Sequence, residues 1–113
     1  MPAAVTRLAL FALMTLATSG ASANPAHDAV SKMSESDRNA TFTKYMSQNS
    51  VPCKVERTFF QGFTDERDAV WSIACADKKS FAVMLRNDAE GSSRYVECER
   101  LKAGSKRECF KKY

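Results

Sequence analysis

The chain has 113 residues, a formal net charge of +4, four cysteines, four glycines and a single histidine. A chain of this length forms one domain. So few glycines exclude a glycine-rich phosphate loop, and a lone histidine argues against a Ser-His-Asp triad or a metal site built from several imidazoles.

The N-terminal segment 1–23 has the three parts of a secretory signal peptide. Arg7 supplies positive charge, an apolar run follows over 8–17, and Ala-Ser-Ala at 21–23 provides the small residues that signal peptidase requires. The apolar run is about half of the roughly 20 residues that span a bilayer, so no transmembrane segment is expected. We therefore expect cleavage before Asn24 and a periplasmic or secreted mature protein of bacterial origin.

All four cysteines lie beyond this segment, at Cys53, Cys75, Cys98 and Cys109. In an exported chain, four cysteines usually form two disulfides. Their spacings of 22, 23 and 11 residues do not match the close cysteine pairs of a zinc site. Spacing alone leaves three pairings open.

The first part of the mature chain predicts one helix. Residues 24–33 contain a proline and small side chains with little periodicity, which indicates a loose arm or a short helical lead-in. Ser34 and Asp37 have the spacing of a capping box, and they predict a helix over 34–48. Apolar residues then recur at helical spacing, at Phe42, Tyr45 and Met46.

From Cys53 onward the apolar period changes from helical to alternating, which predicts four strands separated by polar turns. The expected inner-face residues are Cys53, Val55 and Phe59, then Trp71, Ile73 and Cys75, then Phe81, Val83 and Leu85, while Tyr95, Val96 and Cys98 mark the fourth strand. Short turns favour an antiparallel meander. The predicted fold is α+β, with one N-terminal helix packed on a four-stranded antiparallel meander sheet, in a single domain over 34–113.

Strand pairing then selects the disulfides. A first hairpin that turns near Asp65 places Cys53 and Cys75 almost opposite each other. Cys75 and Cys98 would lie two strands apart, nearly 10 Å at about 4.8 Å per strand. A disulfide spans only about 4.4–6.8 Å between Cα atoms. We therefore expect the pairs Cys53–Cys75 and Cys98–Cys109.

Side chains able to carry out acid-base chemistry are scattered. His27 is the only histidine, and it lies in the expected arm, where nothing would hold it against a nucleophile. The carboxylates Asp65, Glu66 and Asp68 share one predicted turn, and Glu97 and Glu99 alternate along the outer face of the fourth strand. A solvated turn and strand face explain these acids. No catalytic residue, cofactor or metal site is predicted.

Two aromatic residues form a first candidate binding surface. Phe60 and Phe63 do not fit the expected inner face, and they bracket Gln61-Gly62 near the tip of the first hairpin. Exposed aromatic residues at such a tip can insert into a groove of a partner. The alternative is a second small cluster with Phe110 beneath the C-terminal tail.

The basic C-terminal tail, residues 100–113, forms a second candidate surface. Its candidate binding residues are Lys102, Lys106, Arg107, Lys111 and Lys112, and Glu108 is the one acid among them. Such a segment can bind anionic lipid, lipopolysaccharide or peptidoglycan, or it can serve only as a solubilising end. Nucleic acid is not an expected partner outside the cytoplasm.

The sequence therefore favours a small exported, disulfide-bonded, non-enzymatic protein that binds a protein or an anionic envelope component. A small periplasmic carboxylate-dependent enzyme and a purely structural envelope protein are the alternatives.

Overall fold

A computed structural model describes residues 24–113, and the predicted signal peptide at 1–23 lies outside them. The elements are α1 (Pro25–Ser31), α2 (Glu35–Gln48), β1 (Val55–Phe63), β2 (Ala69–Cys75), β3 (Ser80–Leu85), β4 (Ser93–Glu97) and α3 (Cys98–Ser105). Within the described range, no helix is long and apolar enough to cross a bilayer.

The four strands form one antiparallel sheet in the order β1-β2-β3-β4. The predicted α+β class and meander are therefore confirmed. Both predicted disulfides are also present, with Cα–Cα distances of 5.1 Å for Cys53–Cys75 and 5.7 Å for Cys98–Cys109. Adjacent strands bring the first pair together, as the hairpin argument requires.

The helices differ in part from the expectation of a single N-terminal helix. The Ser34 hydroxyl accepts from the Asp37 N–H at 3.1 Å and begins α2 as predicted. Residues 24–33, expected as a loose arm or a short helical lead-in, contain α1, which Asn24 caps and Pro25 begins. In addition, α3 follows the sheet directly, so the fourth strand ends one residue before Cys98 and the basic tail begins within a helix.

The face of the sheet that packs against α1 and α2 is called the helix face. It holds the main apolar core, in which α2 contributes Phe42 and Met46, β2 contributes Trp71 and Ile73, and β3 contributes Phe81 and Val83. These side chains recur at every second position of each strand and at helical spacing in α2, which is why both periodicities are visible in the sequence.

Phe59, which the sequence places in the core, lies on the opposite face of the sheet. A register shift between Val55 and Arg57 inserts an extra residue into β1, and such a bulge moves all later side chains to the opposite face. Phe60 therefore lies on the helix face, 5.2 Å from the Trp71 ring between centroids. Phe59, predicted for the inner face, lies instead against Phe110 at 6.2 Å.

The opposite face of the sheet, called the tail face, is covered by residues 108–113. Gln61 and Ser72 are both fully buried there. The Gln61 Nε2 donates to the carbonyls of Glu108 at 2.7 Å and Lys111 at 3.1 Å. The Ser72 hydroxyl donates to Gln61 Oε1 at 2.6 Å and accepts from the Phe110 N–H at 2.9 Å. The tail is thus a folded layer of the domain.

Candidate binding surface

Phe60 and Phe63, the aromatic candidates from the sequence, lie side by side. Residues three apart in a regular strand point to opposite faces. A second register shift, between Phe60 and Gly62, places both rings on the helix face, with 5.2 Å between their centroids. Phe60 is partly buried, whereas Phe63 is 40% exposed. The alternative prediction is a cluster of these two residues with Phe110, but Phe110 packs against Phe59 instead.

His27 of α1 lies against both of these rings, at centroid distances of 4.5 Å from Phe60 and 5.0 Å from Phe63. The indole N–H of Trp71 donates to His27 Nδ1 at 3.1 Å. An acceptor at Nδ1 requires the neutral ring that carries its proton on Nε2. Burial lowers the pKa of His27, and Asp28 opposes this shift. The neutral imidazole therefore joins α1 to the sheet.

Asn24 strengthens the same junction. Its side-chain amide donates to the carbonyls of Arg67 at 3.1 Å and Leu85 at 3.0 Å, while its oxygen caps α1 through the His27 N–H. Sequence reasoning missed this role of His27 because all its ring partners are more than thirty positions away. The available signal was Asn24-Pro25, a cap residue followed by proline at the first helical position.

A basic side chain lies over each of the two aromatic rings, Phe60 and Phe63. Lys112 Nζ lies 4.8 Å from the Phe60 centroid, and Arg67 Cζ lies 5.1 Å from that of Phe63. Both distances are within the range of cation–π attraction. The tail and the first hairpin, which the sequence presented as separate candidates, therefore meet at one place.

Tyr113 extends this place along the edge of β1. Its N–H donates to the Gln61 carbonyl at 3.0 Å, and its ring carries Arg107 Cζ at 4.1 Å. Gly62 permits the approach, because a Cβ at that position would lie 3.2 Å from the Cβ of Tyr113. We call the combined set the aromatic–cationic surface. Its members are Phe60, Phe63, Arg67, Arg107, Lys112 and Tyr113.

The remaining cations of the tail have other surroundings. Lys111 and Lys102 both pair with Glu108, the latter at 3.0 Å. Their hydrogen bonds lower the pKa of the Glu108 carboxyl to about 2. Lys106 ends α3 in the left-handed conformation, with its side chain exposed. The predicted cationic patch is therefore divided, since one carboxylate partly neutralises two of its five members.

The acidic residues that the sequence singles out lie in two separate places. Asp68 accepts from the Asn87 N–H at 2.8 Å and lies 3.9 Å from Arg86, so it joins the first hairpin to the segment after β3. Glu97 ends β4, Glu99 lies in α3 and not on the strand, and both line one depression together with Lys78, Lys79 and Ser80. Over residues 24–113, no group of three or more metal-ligating side chains lies close enough to hold a metal ion.

An open groove of about 990 Å³ lies between α2 and the outer edge of β1. Its lining includes both small and long side chains of α2. Asn39 donates to the Glu56 carbonyl at 3.2 Å, and Thr43 accepts from the Val55 N–H at 2.9 Å, so side chains occupy part of the strand edge. The buried Oδ1 of Asn39 has no hydrogen-bond partner among the described residues.

No family model, curated protein or solved structure matches this chain.

Proposed function

We propose that this protein is an exported, non-enzymatic binding protein of the bacterial envelope, and that it binds an anionic component at the aromatic–cationic surface. The observation that carries this proposal is the position of Lys112 over Phe60, which brings the basic tail and the aromatic pair together. A ring attracts a cation without neutralising its charge. Arg67, Arg107 and Lys112 can therefore still attract an anion.

Ion pairing separates these three cations from the rest of the tail. Among the described residues, no carboxylate lies within 4.0 Å of the charged groups of Arg67, Arg107 or Lys112, whereas Lys102 and Lys111 share Glu108. A ligand that binds the first group does not have to displace an internal carboxylate. This favours the aromatic–cationic surface over the tail as a whole.

Export is the second part of the proposal. It is supported by the signal-peptide pattern at 1–23 and by two disulfides, which persist in oxidising compartments. A periplasmic or secreted location is compatible with both observations.

The test is sedimentation of the exported protein with isolated bacterial envelope fragments at increasing salt. Exposed charges are screened beyond about 10 Å at 0.1 M salt, so binding should weaken steeply. We expect the triple variant Arg67→Ser, Arg107→Ser and Lys112→Ser to lose binding. A control with the same change in net charge, Lys44→Ser, Arg100→Ser and Lys106→Ser, alters exposed cations elsewhere and should still bind. An equal loss of binding in both variants, or binding that does not depend on the salt concentration, would contradict the proposal.

The alternative of a carboxylate-dependent enzyme has less support. An acid-base pair needs two carboxylates that converge on one concave site. Asp68 is engaged by Arg86 and Asn87. Glu97 and Glu99 share one depression, but Lys78 and Lys79 line it with them. The groove beside α2 has Glu35 as the one carboxylate among its described lining residues.

A further inference from the structure

We infer that the anionic component is the headgroup layer of an anionic phospholipid bilayer, against which the protein docks peripherally. This inference rests on the proposed function. It is carried by two exposed aromatic rings, Phe63 at 40% and Tyr113 at 44%, each with a guanidinium above it. A ring that enters the boundary of headgroups and acyl chains, beside a cation that reaches the phosphates, is the combination used by interfacial anchors.

The exposed rings distinguish a lipid surface from other polyanions. A polysaccharide or a polyphosphate would engage Arg67, Arg107 and Lys112 through charge, but it offers no apolar medium for Phe63 and Tyr113. Exposed apolar rings in direct contact with guanidinium groups are better explained by a ligand that has both phosphates and hydrocarbon.

The contacts also define the orientation. Tyr113 packs beside Gly62, and Lys112 lies between Phe60 at 4.8 Å and Phe59 at 5.8 Å, so the surface follows the edge of β1. The turn between β1 and β2 carries exposed Asp65 and Glu66, which an anionic bilayer repels. The edge of β1 therefore faces the lipid, and Arg67 is the residue of the β1–β2 turn that takes part in the contact.

The size of the surface predicts weak, reversible association. Each Lys or Arg close to an anionic bilayer increases partitioning about five-fold at moderate salt. Three such cations and two rings correspond to peripheral docking, which salt reverses.

The experiment compares vesicles of phosphatidylcholine with vesicles of equal parts phosphatidylcholine and phosphatidylglycerol, by sedimentation of the exported protein. We expect binding only to the anionic vesicles at low salt, and a several-fold loss for Phe63→Ser and for Tyr113→Ser. Tyr95→Ser is the matched control, since Tyr95 is 38% exposed on β4 at the opposite edge of the sheet. Unchanged emission of the buried Trp71 verifies that each variant is folded.

A quenching measurement tests the orientation separately. Trp71 is the one tryptophan of the chain and is 4% exposed, so acyl chains that carry bromine should not quench the parent protein. The variant Phe63→Trp adds a reporter at the expected interface, and its emission should be quenched in brominated anionic vesicles. A vesicle-bound Phe63→Trp protein that is not quenched would overturn the orientation.

The two proposals fail in different ways. Binding to envelope fragments without binding to phosphatidylglycerol vesicles would overturn the lipid inference and leave the proposed function intact, with lipopolysaccharide or peptidoglycan as the ligand. Equal vesicle binding by Phe63→Ser, Tyr113→Ser and the parent would also overturn the inference, because the rings would then contribute nothing. Binding to neither preparation would overturn both proposals.

Discussion

On the helix face of the sheet, Met46, Ile73 and Val83 are fully buried apolar side chains, whereas the fully buried side chains of the tail face include Gln61 and Ser72. Apolar burial is non-directional and stabilises any close packing of the right volume. A buried amide and hydroxyl instead lose free energy unless each finds a partner in the correct geometry. The helix face therefore supplies most of the stability, and the tail face supplies a specific position for residues 108–113.

The C-terminal tail, residues 100–113, also contains strained backbone. Phe110 has φ 62° and Lys106 has φ 62°, a region that residues other than glycine rarely adopt. Hydrogen bonds to Gln61 and Ser72 and the Cys98–Cys109 disulfide hold this segment in place. Layers with few apolar contacts open locally at lower free energy than a core does. Since Lys112 and Tyr113 belong to this layer, the proposed binding surface depends on the docked tail.

The largest expected effect is on the helix face. Met46→Ala should lower the free energy of unfolding by about 2–5 kcal/mol, because the fully buried side chain leaves a cavity. Chemical denaturation followed by Trp71 fluorescence and by circular dichroism should give coincident transitions. Met46→Leu nearly conserves volume and should cost less than about 1.5 kcal/mol. An equal cost for both variants would show that cavity volume does not determine stability here.

The disulfides provide the next comparison. In the chain-entropy model, the loops with separations of 22 and 11 residues stabilise the fold by about 3.4 and about 2.8 kcal/mol. Replacing Cys98 and Cys109 by Ala should free the tail, so that its amides lose hydrogen-exchange protection while the amides of β2 keep theirs. Replacing Cys53 and Cys75, both buried in the core, should lower protection throughout the sheet.

Continued protection of the tail amides without Cys98–Cys109 would contradict this division of roles. It would mean that the hydrogen bonds of Gln61 and Ser72 dock the tail unaided. Sedimentation with envelope fragments gives a second measurement, because the variant with a free tail should bind less.

A smaller effect is expected from the polar pair of the tail face. Gln61→Leu should cost about 1–3 kcal/mol, because it leaves the Ser72 hydroxyl and two tail carbonyls without their donor or acceptor. Gln48→Leu, at an exposed position of α2, is the matched control and should stay within about 0.5 kcal/mol of the parent. A double-mutant cycle with Ser72→Ala measures the coupling, and additive costs would show that the two side chains act independently.

Most of the fold could be predicted from the sequence because its signals are periodic and local. The capping box at Ser34, the apolar stripe of α2 and the alternation in β2 and β3 each lie within a short segment. The pairing of the cysteines then follows from the order of the strands. The bulges of β1 could not be predicted, since an inserted residue changes the facing of later side chains without changing composition. For this reason Phe59 lies on the tail face and Phe60 on the helix face, the reverse of the prediction.

The candidate surface was predictable only as separate parts. Phe60 and Phe63 are identified because they do not fit the inner-face alternation, and the tail cations because of their charge. The position of Lys112 over Phe60 depends instead on how the tail docks. Docking is directed by Gln61, a polar residue that produces no apolar signal, and its tail partners are 47 and 50 positions away. The roles of His27 and Gln61 could not be predicted, because their partners are distant in the sequence.

His27 predicts a pH dependence of stability. Burial lowers its pKa in the folded protein, whereas the side chain in the unfolded chain has its ordinary pKa of about 6.5. Below that pH the unfolded state takes up the proton first, so the free energy of unfolding should fall as the pH falls from about 7 to about 5. His27→Gln keeps an acceptor for the Trp71 N–H but does not titrate. Denaturation at several pH values should show a shallower decrease for this variant, and equal slopes would contradict the assignment.

The smallest expected effect is a gain at Lys106, the residue that ends α3 with φ 62°. A side chain in the left-handed conformation costs about 1–2 kcal/mol, and glycine removes this cost while it increases the entropy of the unfolded chain. Lys106→Gly should therefore stabilise the protein by about 0.5–1 kcal/mol in thermal unfolding. Ala103→Gly, at an exposed position inside α3, should instead destabilise it by about 1 kcal/mol. Because Lys106 lies outside the aromatic–cationic surface, Lys106→Gly should also bind envelope fragments almost as well as the parent. A loss of binding comparable to that of the triple variant Arg67→Ser, Arg107→Ser and Lys112→Ser would mean that the whole tail, and not this surface, attracts the ligand.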